Sequence, residues 1–212
     1  AFYQGPTEDG SRSGIYFINT WDPASRPLHR MAAVTFHEAV PGHHFQITIE
    51  TEMDSLPAFR KFGSRLAGGA FVEGWGLYAE QLAEEMGLYH TPLERFGALE
   101  TEAWRAARLV VDTGIHSLGW TRQRSIDLLR SRAGLTQLEA ETETDRYISW
   151  PGQALSYMIG QREIMNLRGE LEARDGARFD HRAFHDQVIG HGSLPLATLR
   201  ARLPGWVQPS AE

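Results

Sequence analysis

The pair Pro41-Gly42 sits inside a histidine cluster, His37-Glu38-Ala39-Val40-Pro41-Gly42-His43-His44, directly after the apolar run Met31–Phe36. It limits what the segment can fold into. An unbroken α-helix would carry His37 and His44 on one face but about 10 Å apart along the axis, at roughly 1.5 Å per residue. His37 and His43 would lie on different faces. Neither pair could share one metal ion whose ligands sit at about 2 Å. Proline removes a backbone donor and clashes with the preceding turn, while glycine tolerates unusual dihedrals. The expected form is therefore a metal-binding helix with a two-residue bulge.

Composition narrows the chemistry. At 212 residues one domain is the default, and 42% hydrophobic with 23% charged residues is ordinary for a globular protein. The formal net charge of −6, with no concentrated basic stretch, argues against a nucleic-acid partner. With no cysteine, disulfides and thiolate ligands are excluded, so any metal must use histidine and carboxylate. No apolar run is long enough to span a bilayer, and the N-terminus lacks a signal-peptide layout. The expectation is a soluble protein, cytoplasmic or exported. The start Ala1-Phe2-Tyr3-Gln4 suggests an excised or processed piece of something longer.

Along the chain, residues 1–14 read as a polar, glycine-rich loop. Gly14–Asn19 is a short strand candidate, ended by Asn19 and the Asp22-Pro23 turn. A helix is expected from Pro27 into the histidines, resuming to about Met53. Pro57–Leu66 reads as a short amphipathic helix, and Gly68-Gly69 as a break. Phe71–Met86 follows and ends at Gly87. Thr91-Pro92 starts a third long helix, reaching Gly114 or Trp120. Thr121 caps Arg122–Arg132, and Thr136 with Glu139 has capping-box spacing. Gln153–Ala173, His181–Ile189 and a terminal segment complete a mainly α chain, with at most a small sheet at its N-terminal end.

Histidine-glutamate clusters of this kind resemble the His-Glu-x-x-His helix of zinc peptidases, although Pro41 stands where the second histidine of the short motif would be. Inserting two residues moves that ligand to His43, with His44 the alternate. A catalytic zinc takes three protein ligands, and Glu73, in Phe71-Val72-Glu73-Gly74-Trp75, is the best third. Glu80, two turns on, is its rival. Without the histidines, both glutamates would read as a solvated helix face.

The strings Phe36–Gln46, Phe71–Glu80, Val111–His116 and Tyr147–Gln161, in this order, resemble the bacterial family labelled domain of unknown function 885. That family is similar to the gluzincin metallopeptidases, which hold one Zn2+ with two histidines and a downstream glutamate. The Phe71-Val72-Glu73 segment resembles its counterpart in thimet-type oligopeptidases. Gly152–Tyr157 is similar to the tyrosine-bearing segment of those enzymes and of thermostable carboxypeptidases. The resemblance implies a single helical catalytic domain over 1–212, the C-terminal part of a longer protein. Full-length members carry a long helical region ahead of this part, so that region of the same protein is an expected partner.

On this reading the substrate is a short peptide. Glu38 is the general base, and Tyr157, with Tyr147 second, donates to the carbonyl oxygen. Asp112 and His116, four residues apart, orient a ligand or bind substrate, or else simply stabilise their helix. Arg146 and Gln153 are candidates for holding a peptide carboxylate. Carboxypeptidase action is slightly favoured over endopeptidase action on the resemblance. Two other readings stay open: a metal-dependent hydrolase of another amide or ester, and an inactive, metal-stabilised binding domain.

Overall fold

The computed structural model describes residues 1–23, 26–61 and 69–208. Strands β1 (Phe2–Gln4) and β2 (Ile15–Phe17) form an antiparallel pair, with Phe2 opposite Phe17 and Gln4 opposite Ile15. Nine α-helices whose full extent lies in the described residues follow. They are α1 (Met31–Glu38), α2 (His43–Glu52), α3 (Gly69–Glu85), α4 (Pro92–Leu118) and α5 (Arg122–Ala133), then α6 (Gln137–Ser149), α7 (Ser156–Asp175), α8 (His181–Ile189) and α9 (Leu196–Trp206). The fold is mainly helical with a small N-terminal sheet, as the sequence predicts.

Local chemistry sets the helix ends. Thr91 and Glu94 form a reciprocal capping box at the start of α4, and Thr136 and Glu139 form another at α6. Thr121 Oγ1 accepts from the Arg124 amide at the start of α5. Gly119 and Gly134 close α4 and α5 in the left-handed region, where glycine has no Cβ penalty.

Helix α3 is the spine of the molecule. One side packs on α7 where Gly74 meets Gly160; a Cβ on either would overlap the other's backbone, so the pair sets the approach of the two helices. Phe71, Trp75 and Tyr78 of α3 join Ile164, Leu167, Phe184, Val188 and Leu199 in the main core. Burying each such side chain contributes roughly 1.5–3 kcal/mol. A second core, with Val111, Ile126, Leu129 and Tyr147, packs α4 against α5 and α6. Arg30, just ahead of α1, is buried and bonds Glu100 of α4, with Nε to Oε2 at 2.8 Å. That contact fixes the entry of the histidine helix.

Three expectations need adjusting. The polar stretch 1–14 contains β1, whose three residues gain order only by pairing with β2. Pro41-Gly42 produces two separate helices rather than one bulged helix: the chain leaves α1 at Ala39 (φ −100°, ψ −115°) and enters α2 after Gly42 (φ −78°, ψ −133°). The Val40–Pro41 peptide is cis. A Cβ at Gly42 would overlap the carbonyl oxygen of His37, so only glycine allows the chain to fold back this closely. Of the predicted helix Pro57–Leu66, residues 58–61 are helical. The rest, with Gly68, lies outside the described residues.

Candidate metal centre

His37 lies in the last turn of α1, His43 opens α2, and Glu73, Gly76 and Glu80 follow one face of α3 at helical spacing. The break between α1 and α2 turns both imidazoles toward that face. Trp75 Nε1 donates to the Pro41 carbonyl at 2.8 Å, pinning the connection onto α3. His37, His43 and Glu73 each offer a ligand atom, all within 4.8 Å of one another. Glu73 Oε2 is 3.6 Å from His37 Nε2 and 3.4 Å from His43 Nε2. Ligands at about 2.0–2.1 Å on a tetrahedral ion would be roughly 3.3–3.4 Å apart.

The donor set fits such a cation. Glu73 Oε2 is buried yet takes no hydrogen bond, although it sits beside two imidazole nitrogens. The other oxygen, Oε1, accepts from Gln153 Nε2 at 3.1 Å. Burial opposes ionisation of Glu73, but His37 and His43 outweigh it and hold the carboxyl well below its usual range. His37 is likewise disfavoured as a cation by burial, yet Glu73 and Glu80 raise it to about 9. The cluster concentrates negative charge strongly enough to retain a proton, and a divalent ion would compete for the same place.

Glu80, the rival ligand, sits behind His37 instead of beside Glu73. Its Oε1 accepts from His37 Nδ1 at 2.8 Å. A carboxylate only accepts here, so Nδ1 carries the hydrogen and Nε2 points to the cluster. Thr101 Oγ1 donates to Glu80 at 2.8 Å, and Arg105 lies at 3.0 Å. Burial would raise the Glu80 carboxyl, but Arg105, His37 and Thr101 together lower it. His44, the alternate histidine, turns away, with Nδ1 3.0 Å from the Tyr3 hydroxyl.

Glu38, the last residue of α1, is half-buried, and no hydrogen bond or ion pair engages its carboxylate among the described residues. The Tyr157 ring stacks near His37, at 6.1 Å and 23°. Its hydroxyl accepts from Gln153 Nε2 at 3.2 Å and Arg146 at 3.3 Å. Both bonds are received, which leaves its own hydrogen uncommitted. The Tyr147 hydroxyl, in contrast, is buried in the second core and accepts from Arg108 at 2.9 Å and Trp104 at 3.1 Å.

Asp112 and His116 meet the segment that carries Gln153. The Asp112 carboxylate accepts from the Gly152 amide, at 3.0 Å to Oδ2, and His116 Nε2 lies 2.9 Å from the Tyr147 carbonyl. Arg146 reaches Gln153 Oε1 at 3.1 Å as well as Tyr157. Gln153 itself bonds Arg146, Tyr157 and Glu73.

Sequence reasoning missed Gly76, Thr101, Arg105 and Arg108. A Cβ at Gly76 would stand 2.7 Å from His37 Cε1 and 2.9 Å from His43 Cε1, so both imidazoles lie on a bare helix backbone. Arg108 stacks over the Tyr157 ring at 4.3 Å. A signal was present. Thr101, Arg105, Arg108 and Asp112 recur at helical spacing on α4 among apolar and small positions, marking a buried polar stripe.

A cleft of about 640 Å³ opens beside His43 and Glu73, walled by β1, by α2 and α3, and by the Trp150–Gln153 turn.

Residues 1–203 match the family described as "Bacterial protein of unknown function (DUF885)", and the chain belongs to it. No curated protein matches. Solved structures that are similar include two, each described as a "putative lipoprotein". One is described as a "putative lipoprotein from Colwellia psychrerythraea", 40% identical with a TM-score of 0.93 over 97% of this chain. The other, a "putative lipoprotein of unknown function from Shewanella oneidensis", is 27% identical with a TM-score of 0.81 over 95%. This chain spans 35% and 38% of their respective lengths. No helix among the described residues is long and apolar enough to cross a membrane.

Proposed function

We propose that this chain carries the catalytic centre of a zinc-dependent peptidase acting on short peptides. The observation that carries the reading is the buried, undonated Oε2 of Glu73 between the Nε2 atoms of His37 and His43. Two imidazoles and one carboxylate are a zinc-type donor set that leaves a coordination position open. When bound, zinc would polarise the scissile carbonyl and lower the pKa of a water molecule.

The remaining roles belong to the chain. Glu38, uncommitted beside His37, carries a proton from the attacking water to the departing amine. Tyr157 donates its free hydroxyl hydrogen to the carbonyl oxygen as charge develops there. Glu80 fixes the tautomer and orientation of His37. Gln153 holds Glu73 and Tyr157 together, while Asp112 anchors its turn and His116 the last turn of α6 before it. The lipoprotein description of the relatives supports an exported location, and their greater length supports a further region of the same protein beside this one.

The test is Glu38→Gln. That variant should retain zinc at parent stoichiometry and lose about 100-fold or more in peptide hydrolysis. Hydrolysis at the parent rate contradicts the assigned role.

A further inference from the structure

Lys61 is the one lysine in the chain, which otherwise uses arginine for its 21 Lys and Arg residues. It lies half-buried on the wall of the cleft that His43, Glu73 and Gln153 also line. Among the described residues no carboxylate pairs with it, and the sequence from 62 to 68 contains no acidic residue. Glu73 is the one acid on the described walls of this cleft, and its Oε2 is taken up between the two imidazoles. Among the described residues, a ligand entering therefore meets one positive charge with no carboxylate paired to it. Around it Phe2, Ile47, Val72 and Trp150 provide apolar wall.

From this arrangement we infer that Lys61 is the carboxylate anchor of the cleft and selects peptides that present a free carboxylate beyond the scissile bond. This rests on the peptidase reading of the metal centre and adds the substrate class. The physical reason is local. An ammonium is a compact charge on a flexible stem, able to follow a terminal carboxylate, whereas guanidinium demands a fixed two-pronged geometry. Apolar walls weaken screening and strengthen the pair. A volume of about 640 Å³ is in the range of small-ligand sites and suits a short peptide.

The carboxylate could be the peptide's C-terminus or an acidic side chain, and the probes separate them. Three are used: N-acetyl-Ala-Ala-Phe as the free acid, the same peptide as its amide, and N-acetyl-Ala-Glu-Phe amide. Binding is measured by calorimetry to zinc-loaded Glu38→Gln protein and to metal-free parent, so turnover is not required. The free acid should bind about tenfold tighter than the plain amide, a difference that Lys61→Met removes and Lys61→Arg partly restores. Tight binding of the glutamate peptide instead would assign the anchor to side chains.

A second readout needs no variant. Limited acetylation of the parent is read at Lys61 by mass spectrometry. The free acid should protect Lys61 severalfold, and the plain amide should not. Equal binding of acid and amides, absence of binding by all three, or acetylation of Lys61 indifferent to the acid would overturn the inference. If carboxylate binding depends on Lys61 while nothing is hydrolysed, the anchor stands and the peptidase reading fails. If peptides are hydrolysed with no preference for a carboxylate, the reverse holds.

Discussion

Glu80 accepts a hydrogen bond from His37 Nδ1 at 2.8 Å, and through that contact it aims Nε2 of the histidine at Glu73. One helix thus supplies a carboxylate to each side of one imidazole. The nearer turn meets the proposed ion, and the turn behind sets the tautomer.

Replacing Glu80 with glutamine removes the charge that supports His37 and opposes Arg105. Partners of this kind typically contribute 10–100-fold in metal affinity. Zinc binding measured by chelator competition should weaken by about that factor, with the helical circular dichroism spectrum retained. Unchanged zinc affinity would mean that His37 is oriented by other contacts.

Gly76→Ala separates the fold from the site. Alanine is the better helix former by about 1 kcal/mol, so helix propensity alone predicts a stabler protein. Its Cβ, however, would stand 2.7–2.9 Å from His37 and His43. The expected outcome is a folded protein that binds zinc at least about tenfold more weakly, because ligand geometry tolerates only small displacements. Parent-like affinity in chelator competition would contradict the placement of both imidazoles.

His185 gives a pH signature away from the metal. Burial, then the charges of Arg168 and His181, lower it to about 4, and its Nε2 lies 2.7 Å from the Tyr78 hydroxyl. In the unfolded chain a histidine titrates near 6.5. Between these values the unfolded state binds the extra proton, so the contribution is full above about pH 6.5 and is lost as pH falls toward 4. The contribution is roughly 1–3 kcal/mol. Urea midpoints of parent and His185→Gln should converge as pH falls from 7 to 4.5. A gap that stays constant would show that this histidine is not held neutral.

The helices were legible because their signals are local. Thr91, Thr121 and Thr136 cap helices through side chains one turn away, and Gly87 follows the end of α3. His43 was favoured over His44 by counting the Pro41-Gly42 insertion, and the structure places His43 beside Glu73. What was illegible depends on neighbours distant in sequence. Strand β1 exists through its pairing with β2. The requirement for glycine at 76 arises from imidazoles about 35 residues earlier. Glu80 looks like an alternative ligand until Thr101 and Arg105 of α4 are seen to hold it behind His37. A sequence motif names ligand types, whereas the supporting shell belongs to the packing of helices.

The most direct test of the account is zinc content by elemental mass spectrometry, on parent and Glu73→Ala protein purified without chelator and then equilibrated with zinc. About one ion per parent chain, lost in Glu73→Ala with the helical spectrum intact, is the predicted result. A parent chain that takes up no zinc, or a Glu73→Ala chain that retains it in full, would contradict the proposed centre.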